Sequence, residues 1–577
     1  MPFRWTYTQP ERKNYVNELQ KSLGVSETIA KLLAIRGITT FDDARDFFRP
    51  NLDDLYDPFL MKDMEAGAER LAKAIRGNET VVVYGDYDVD GTTATAIMYT
   101  FLKDFGVNAL YYIPHRFKEG YGITEDGIEF AIEQGASLIV SVDCGITAIE
   151  EAKYCKLKGI DLVVCDHHNA GDVIPDAVAV LDPKRPDCPY PFDGLSGAGV
   201  GFKLVQATIT KLGLPAHVAH KFLDLVAISI ASDIVPIVDE NRILMRAGLQ
   251  KINTEPRVGI KALMDLIQLK PPITTSHIVF SIGPRINAAG RMGDASAAVN
   301  LLIAEEKGEA KAGALELEAV NIRRRDTDSM TMKTAMSYLD ENFDEEKMSS
   351  VILHDPDWHL GVIGIVASRL VDKFCRPTIM LSTVDGMIKG SARSIRGFNI
   401  YNALKQCEDL LVQFGGHEFA AGLTIEEDML EAFMERFNRI ANNCLCDEDF
   451  EPELLIDSEL DLNEVDQKFW NVLRQFEPFG PDNMKPVFTS SGLRVHGNAT
   501  VVGNGHLKLK LAQNGSHVFD AIGFNMHEYL PKVRNFANGG LHVAYTLEEN
   551  TWNGRTQLQM RIKDIKTQAE ISETAAS

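Results

Sequence analysis

Leu162-Val163-Val164-Cys165-Asp166-His167-His168 is the stretch of sequence that decides the fold. Four apolar residues that end in an acid and two imidazoles predict a buried strand whose C-terminal end presents polar side chains. Carboxylates and imidazoles are both ligands of divalent metals. Because adjacent residues of an extended chain point to opposite sides, the two imidazoles should not bind one ion in the same way. We expect one histidine to be a metal ligand and the other to face a substrate.

Three more places along the chain put acids directly after apolar runs. They are Asp86, Asp88 and Asp90 after residues 81–85, Asp143 after residues 138–142, and Asp233 after residues 223–231. We interpret each run as a strand and each acid as part of a strand end. Carboxylates beside buried apolar surface are costly unless they are paired or bind a cation. The four acidic strand ends together therefore predict a cluster of divalent metal ions.

The segment from Asp86 to Gly91 also begins like a calcium-binding EF-hand loop. That loop needs a bidentate glutamate at its twelfth position, and the twelfth residue here is Ile97. A predicted strand, rather than a helix, precedes the segment, so the EF-hand interpretation fails. The glycines of residues 197–201 likewise lack the spacing of a dinucleotide-binding loop, and we interpret them as the close-packed start of a helix.

The chain of 577 residues is too long for one core and should form roughly three or four domains. The predicted parts are a helical segment (1–76), a parallel-sheet domain (77–300), a linker helix (301–346), a smaller α/β domain (347–446), a β-barrel (447–566) and a flexible tail (567–577). The parallel sheet is predicted because apolar strands alternate with helical stretches in this region. The predicted strands are 81–85, 109–114, 138–143, 162–166 and 177–182. Functional groups in such α/β folds collect at the carboxyl ends of the strands, where the acids lie.

Composition limits the possible functions. A net charge of −23 argues against broad, nonspecific binding to a polyanion, although it does not exclude a local basic groove. No apolar run is long enough to cross a membrane, and the first residues lack the apolar core of a signal peptide. The eight cysteines have no disulfide-framework or zinc-site spacing. We therefore expect a cytoplasmic protein with reduced thiols and no membrane contact.

The motifs resemble a known family. The acidic motifs are GDYDVDG (85–91), SVDCGI (141–146), CDHH (165–168) and SDIVPI (232–237), and GPRINAAGR (283–291) follows them. The second α/β domain contains WHLGVIGIVASR (358–369), KGSARS (389–394) and GGHEFAAG (415–422). In this order they resemble the DHH phosphoesterase superfamily, and within it the RecJ single-strand exonucleases, over nearly the whole chain. The resemblance implies a DHH catalytic domain, a DHHA1 substrate-binding domain and a barrel similar to the OB fold.

The resemblance implies a site for two ions, Mn²⁺ or Mg²⁺. The implied ligands are Asp88 and Asp90, one for each ion, Asp143 as the bridge between the ions, and His167 and Asp233 to complete the set. Asp86 is either a ligand or a support for one, and Asp166 orients its neighbours. Two ions lower the pKa of a shared water and stabilise the attacking and leaving oxygens. His168 would then contact the scissile phosphate or assist the leaving group.

Further residues suit contacts to phosphate. Arg285, Asn287 and Arg291 follow the acidic motifs, and guanidinium groups match phosphate oxygens; an ion pair with the acidic cluster is the alternative. Small residues surround Ser391, Arg393 and His417 and would allow an anion to approach closely. The resemblance implies that they bind a substrate phosphate at a 5′ end, with Arg116 and Arg369 as additional candidates. In the barrel, Lys508, Lys510, Trp552 and Arg555 suit stacking with unpaired bases, while ordinary packing is the alternative for Trp552.

The resemblance implies a metal-dependent exonuclease that degrades single-stranded DNA in the 5′ to 3′ direction, in DNA repair and recombination. It also points to a single-strand-binding protein or a DNA helicase as partners, and the multidomain build permits a monomer. One alternative is a phosphodiesterase for short oligoribonucleotides or cyclic dinucleotides, whose members usually lack the barrel. Another is a noncatalytic DNA-replication scaffold, which the complete set of acids disfavours. An assay with Mn²⁺ and end-labelled strands separates these functions.

Overall fold

The computed structural model describes residues 3–344, 347–552 and 555–576. The chain divides into two compact units. The central unit contains Pro50–Thr331 and Pro478–Asn483, and the terminal unit contains the remaining residues.

The strands and helices are numbered along the chain. The strands are β1 (Arg4–Tyr7), β2 (Thr80–Tyr84), β3 (Asn108–Tyr112), β4 (Leu138–Val142), β5 (Asp161–Cys165), β6 (Ala179–Leu181), β7 (Val351–His354), β8 (Thr378–Val384), β9 (Met387–Arg393), β10 (Gln413–Gly416), β11 (Ala420–Ile425), β12 (Glu453–Ile456), β13 (Ser458–Glu459), β14 (Phe488–Val495), β15 (Thr500–Val502), β16 (His506–Ala512), β17 (Phe519–Gly523), β18 (Leu541–Trp552) and β19 (Arg555–Thr567). The helices are α1 (Lys13–Leu23), α2 (Glu27–Ala34), α3 (Phe41–Phe48), α4 (Met64–Gly77), α5 (Val89–Asp104), α6 (Glu125–Glu133), α7 (Ile149–Lys158), α8 (Gly197–Lys211), α9 (Leu223–Ser232), α10 (Asp239–Thr254), α11 (Val258–Leu266), α12 (Thr275–His277), α13 (Gly283–Met292), α14 (Ser296–Ile303), α15 (Lys307–Asn342), α16 (Leu360–Phe374), α17 (Ile400–Lys405), α18 (Leu430–Cys444), α19 (Gln467–Leu473), α20 (Leu530–Asn535) and α21 (Gln568–Ala576).

The central unit contains a five-stranded parallel sheet in the order β3-β2-β4-β5-β6. Alternate residues pack into two separate apolar cores: Val81 and Val140 contribute to one core, and Val82 and Ile139 to the other. The strands are therefore buried on both faces, as parallel strands usually are. The chain goes from β2 outward to β3 and then returns past β2 to β4, so β2 and β4 flank the point where the strand order reverses. Ligands of such α/β sheets bind outside the carboxyl ends of the strands at this point.

The predicted strand before Asp233 is wrong. Residues Leu223–Ser232 form helix α9, and Asp233 is its C-cap. Every residue from Leu223 to Ala231 is buried, so the segment has no polar face from which a helical period could be recognised. A short apolar run of this kind does not distinguish a buried strand from a buried helix.

The observed units do not follow the predicted segment boundaries at every point. The N-terminal segment predicted as one helical piece, residues 1–76, is divided at Pro50, and α4 belongs to the central unit. Residues Pro478–Asn483 also join the central unit, where the amide of Ile237 donates to the carbonyl of Pro481 (2.9 Å). The linker is helical as expected, since α15 is 36 residues long.

The terminal unit contains two larger sheets. One has the order β10-β11-β9-β8-β7, and the other has seven strands in the order β13-β14-β18-β19-β17-β16-β15, with an additional β14–β16 pairing. This mixed and strand-rich architecture agrees with the predicted α/β domain and β-barrel. The side chains of Trp552 and Arg555, proposed above for base stacking, lie outside the described residues.

Both ends of the chain are more ordered than the sequence indicated. Arg4–Tyr7 is a strand because it pairs in parallel with β12, a distant partner. The predicted flexible tail contains helix α21, whose Glu570 accepts hydrogen bonds from the amide of Thr567 (2.7 Å) and from Lys532 (2.6 Å). Among the residues described, none of the helices has the length and apolar character needed to span a membrane.

Candidate metal centre

The acids and imidazoles singled out from the sequence converge in the central unit. Three overlapping groups have ligand atoms within 4.8 Å of one another. They are Asp143 with His167 and His168, Asp90 with His167 and Asp233, and Asp86 with Asp88 and Asp143. The side chains come from the segments that follow β2, β4 and β5, from the first turn of α5, which contains Asp90, and from the C-terminus of α9.

His167 lies at the middle of this cluster and is almost completely buried. Its Nε2 atom is 3.2 Å from Oδ1 of Asp143, 3.5 Å from Oδ2 of Asp233 and 3.6 Å from Oδ2 of Asp90. Burial lowers the pKa of His167 to about 4, even though Asp90 favours the charged form. A neutral imidazole that points at three carboxylates suits coordination of a cation.

Several buried polar atoms of the cluster have no hydrogen-bond partner among the described residues. They are Oδ1 of Asp86, Oδ1 of Asp143 and both ring nitrogens of His167. A buried polar atom without a partner costs about 1–3 kcal/mol, so a cation would satisfy what the protein leaves unsatisfied. The donor set of carboxylate oxygens and one imidazole is chemically suited to Mn²⁺ or Mg²⁺.

The pKa values of the carboxylates in the cluster also indicate a site suited to a cation. Burial raises the pKa values of Asp86, Asp143 and Asp233 well above the usual range, and neighbouring carboxylates raise them further. The pKa of Asp88 is also raised, by burial and by Asp90. These carboxylates repel one another without a cation, and a divalent ion would favour their charged forms.

Asp90 is held by the start of helix α8. Its carboxylate accepts hydrogen bonds from the amides of Gly197 (2.6 Å) and Ala198 (2.8 Å) and from the hydroxyl of Ser229 (2.7 Å). The positive end of the helix dipole favours an anion at this position. The predicted close-packed helix start is confirmed, because a Cβ atom at Gly197 would lie only 2.4 Å from Oδ1 of Asp143.

Asp166 and His168 form a separate pair beside the cluster. Asp166 accepts hydrogen bonds from the amides of Ile146 and His167 (both 2.8 Å) and from Nδ1 of His168 (2.7 Å). Burial disfavours the charged carboxylate, but His168, the amide of Ile146 and the charge of His167 together outweigh it, so the pKa of Asp166 is lowered. Burial likewise opposes protonation of His168, yet Asp166 raises its pKa to about 9. The His168 side chain is 36% exposed and that of His167 6%, so only His168 is accessible.

Two residues near the cluster were not predicted from the sequence as part of the site. The hydroxyl of Tyr121 lies 3.0 Å from Nδ1 of His168, and only the glycines on either side of Tyr121 signal a special loop. Asp182 follows β6 and is fully buried, with one carboxylate oxygen lacking a partner among the described residues. Burial raises the pKa of Asp182 to about 7. The strand-end rule applied to the other acids would have found Asp182, because the preceding strand was itself predicted.

Of the predicted phosphate-binding residues of the central unit, one is paired with an acid of α15 and the others lie on segments that contact Tyr87. Arg285 pairs with Glu318 of α15 (2.5 Å), so the expected alternative, an ion pair with the acidic cluster, is wrong for this residue. Arg116 instead lies over the ring of Tyr87, 4.8 Å from its centroid. Helix α13 carries Asn287 and Arg291. This helix packs closely against the segment that contains Tyr87, since a Cβ atom at Gly290 would lie only 2.0 Å from the carbonyl oxygen of Tyr87.

The other phosphate-binding candidates lie in the terminal unit. Ser391 and Arg393 lie on β9, where Nη1 of Arg393 donates to Oγ of Ser391 (3.0 Å). Both side chains pack against α16 at Gly364, and the same helix carries Arg369. His417 is in the turn between β10 and β11, and its amide donates to the carbonyl of Ala420 (2.8 Å). In the strand register, Ala420 is opposite Arg393, so these residues share one end of the sheet.

Comparison with known proteins identifies the domains. Three family models match the chain: the DHH family N-terminal domain over residues 80–230, the DHHA1 domain over 345–443 and the RecJ OB domain over 456–564. The single-stranded-DNA-specific exonuclease RecJ of Bacillus subtilis is 36% identical over 97% of this chain and 70% of its own length. The RecJ of Escherichia coli strain K12 is 33% identical over 88% of this chain and 90% of its own length.

Solved structures give the same relationship. The crystal structure of Thermus thermophilus RecJ in complex with Mn²⁺ matches with a TM-score of 0.83 and 28% identity, covering 98% of this chain and 80% of that chain. A structure of exonuclease RecJ bound to manganese matches with a TM-score of 0.59 and 34% identity, over 68% of this chain and 96% of that chain. The expected fold class and family resemblance are thereby confirmed, and the chain belongs to the RecJ family of DHH proteins.

Proposed function

We propose that this protein is a metal-dependent exonuclease that hydrolyses single-stranded DNA from its 5′ end. The single observation that carries the proposal is His167, whose buried Nε2 points at three carboxylates and has no hydrogen-bond partner among the described residues. The curated relatives with the same domains are named single-stranded-DNA-specific exonucleases. No serine or cysteine nucleophile is needed at such a site, because metal-bound water is the nucleophile in hydrolysis of this kind.

The chain's own residues would hold two divalent ions, Mn²⁺ or Mg²⁺. We assign Asp143 to serve both, because only Asp143 and His167 belong to two of the three ligand groups among the described residues, and of these two only the carboxylate has a second oxygen for a second ion. Asp88 and Asp90 would each serve one ion, and His167 and Asp233 complete the set, while Asp86 is a ligand or a support. When bound, the ions lower the pKa of water and neutralise the reacting phosphate.

His168 and Asp166 would act on the substrate side of the ions. Asp166 fixes the ring of His168 through Nδ1, and the raised pKa of His168 keeps a proton available at neutral pH. A protonated imidazole can donate a hydrogen bond to the scissile phosphate or to the leaving oxygen. This assignment makes Asp166 an orienting residue and His168 the catalytic one.

The strand would be bound through its phosphates. In the terminal unit, Ser391, Arg393 and His417, with Arg369 nearby, suit a terminal 5′ phosphate. In the central unit, Arg116, Asn287 and Arg291 suit phosphates of the strand, whereas Arg285 is already paired with Glu318. Lys508 and Lys510 lie on β16 of the barrel and suit a longer single strand.

The cellular setting follows from the chemistry. A single-strand-specific enzyme needs unwound DNA, so a helicase or a single-strand-binding protein would supply or present the substrate in repair and recombination. All proposed metal ligands come from one unit of one chain, which suits a monomer. None of the eight cysteines is in a disulfide, which suits the reducing cytoplasm.

Single strands labelled at either end test the proposal in the presence of Mn²⁺, with Asp143→Ala as the control. We expect labelled mononucleotides to appear at once from 5′-labelled strands and late from 3′-labelled strands, and Asp143→Ala to be inactive. Early release from 3′ ends, equal cleavage of duplex DNA, or activity on dinucleotides alone would contradict the proposal. The last result would favour the small-molecule phosphodiesterase, which the barrel disfavours.

A further inference from the structure

The loop between β3 and α6 is closed by one carboxylate. Glu119 accepts hydrogen bonds from the amide of His115 (2.7 Å), the hydroxyl of Tyr112 (2.6 Å) and the hydroxyl of Thr124 (3.3 Å). These contacts tie the two ends of the loop to a single point. The residues between them therefore have a defined course at the edge of the metal centre.

Tyr121 projects from this loop between two glycines in the left-handed region. Gly120 has a φ of 89° and Gly122 a φ of 94°, conformations that other residues adopt only with strain. The two turns set the Tyr121 ring edge-on to His168, with ring centroids 5.5 Å apart. No residue in this loop other than Arg116 was singled out from the sequence.

The Tyr121 hydroxyl joins the ends of two adjacent strands. It donates to the main-chain carbonyl of Asp143 (3.2 Å), which follows β4. It also lies 3.0 Å from Nδ1 and 3.4 Å from Nε2 of His168, which follows β5. Donation of its only proton to the carbonyl leaves the hydroxyl oxygen free to share the Nδ1 proton of His168 with Asp166 (2.7 Å), so that Nε2 stays available for a phosphate.

We propose that Tyr121 is a positioning residue that holds His168 in the orientation needed at the reacting phosphate. This inference rests on the proposed function, in which His168 meets the substrate. Asp166 alone contacts one ring nitrogen, and the His168 side chain is 36% exposed, so a single hydrogen bond leaves the ring free to swing. The Tyr121 hydroxyl supplies the second contact, and small errors in the position of a catalytic group are costly in rate.

A double-mutant cycle in the full-length protein tests this role. Activity on a 5′-phosphorylated, 3′-labelled single strand is measured with Mn²⁺ for the wild type, Tyr121→Phe, His168→Ala and the double variant. We expect Tyr121→Phe to lower kcat about 10- to 100-fold with little change in KM. The same substitution in the His168→Ala background should change kcat less than about twofold, because the two residues act as one unit. Tyr111→Phe is the matched control, since its hydroxyl contacts Asn300 (2.8 Å) away from the cluster.

Mn²⁺ affinity separates this role from its main alternative, support of Asp143 through the carbonyl. We expect Tyr121→Phe to bind Mn²⁺ as the wild type does, measured by electron paramagnetic resonance. Full activity of Tyr121→Phe, an equal loss in both backgrounds, or a weakened Mn²⁺ affinity that accounts for the loss would each overturn the inference. A wild-type protein without activity on single strands would instead refute the proposed function, so the two failures are distinguishable.

Discussion

Nε2 of His167 lies 3.2 Å from Oδ1 of Asp143, and neither atom has a hydrogen-bond partner among the described residues. The two residues follow neighbouring parallel strands, β5 and β4. The sheet therefore brings two unsatisfied ligand atoms together next to the point, between β2 and β4, where the strand order reverses. A buried pair of this kind is unfavourable alone and favourable around a cation, so a bound divalent ion would stabilise the fold that brings its ligands together.

Binding of Mn²⁺ should release protons. Burial and mutual repulsion raise the pKa values of Asp86, Asp143 and Asp233, so the metal-free native protein holds more protons than the unfolded chain. Its stability should fall as pH rises above about 4, the unperturbed carboxyl pKa. Mn²⁺ must displace these protons, and its affinity should increase with pH. Calorimetric titrations in two buffers of different ionisation enthalpy measure the release, and a pH-independent affinity would contradict the prediction.

The two adjacent histidines should give different phenotypes. His167→Ala removes the central ligand and should weaken Mn²⁺ binding by at least about 100-fold, since loss of a supporting residue alone costs about 10–100-fold. His168→Ala should bind Mn²⁺ normally but lose about 10²- to 10⁴-fold in kcat, the usual contribution of a general acid. Isothermal titration with Mn²⁺ and steady-state kinetics measure the two effects. Equal loss of Mn²⁺ binding in both variants would show that the division of roles is wrong.

Removal of one partner from a buried ion pair should strongly destabilise the central unit. Lys203 and Glu240 are fully buried and paired, and Glu240 also accepts from the hydroxyl of Tyr190 (2.6 Å) and the amide of Tyr56 (2.8 Å). Glu240→Leu leaves the Lys203 ammonium unpaired and should lower the free energy of unfolding by about 3–5 kcal/mol. Urea denaturation followed by circular dichroism measures the change.

The matched control for Glu240→Leu is an exposed pair on the same unit. Asp265→Asn removes the partner of Lys261, whose side chain is 52% exposed. The free energy of unfolding should change by less than about 1 kcal/mol. If Glu240→Leu lowers the free energy of unfolding no more than Asp265→Asn does, the loss of the buried partner of Lys203 has little effect on stability and the prediction is wrong.

The sequence was sufficient to predict the five parallel strands and the convergence of their acidic ends. Strand ends are local signals, and a parallel sheet brings its carboxyl ends to one edge. Asp233 was predicted in the cluster but on the wrong kind of element, because a short run that is buried on all sides has no readable period. Asp182 was missed although its strand was predicted.

Other features depend on contacts between distant segments. Tyr121 lies on a loop that Glu119 closes, and Arg285 pairs with Glu318, 33 residues away. Neither pairing has a local sequence signal. The strand Arg4–Tyr7 likewise exists through pairing with β12. Tertiary partners decide these features, whereas periodicity and turn residues report only local preferences.

Recognition of the strand terminus should depend on Arg393. Its guanidinium is held beside Ser391 on β9 and can form two hydrogen bonds to a phosphate. Arg393→Ala should lower kcat/KM for a 5′-phosphorylated strand about 10- to 100-fold, equal to loss of a charge-assisted contact of about 1.5–3 kcal/mol. The kcat/KM of Arg393→Ala for a strand with a 5′ hydroxyl should fall much less. Arg396→Ala, which removes an exposed side chain paired with Glu453, is the control, and an equal loss on both strands would exclude end recognition.

Two glycines on helix α8 should respond oppositely to the same substitution. A Cβ atom at Gly197 would lie 2.4 Å from Oδ1 of Asp143, whereas the nearest neighbour of a Cβ at Gly201 is Val142, 3.9 Å away. Gly197→Ala must displace the Asp143 carboxylate and should abolish Mn²⁺ binding and activity. Gly201→Ala should keep both and gain up to about 1 kcal/mol in stability, because alanine is the better helix former. Mn²⁺ titration and thermal melting of the two variants measure the contrast. Normal Mn²⁺ binding by Gly197→Ala would show that Asp143 is not required as a ligand in the position seen here.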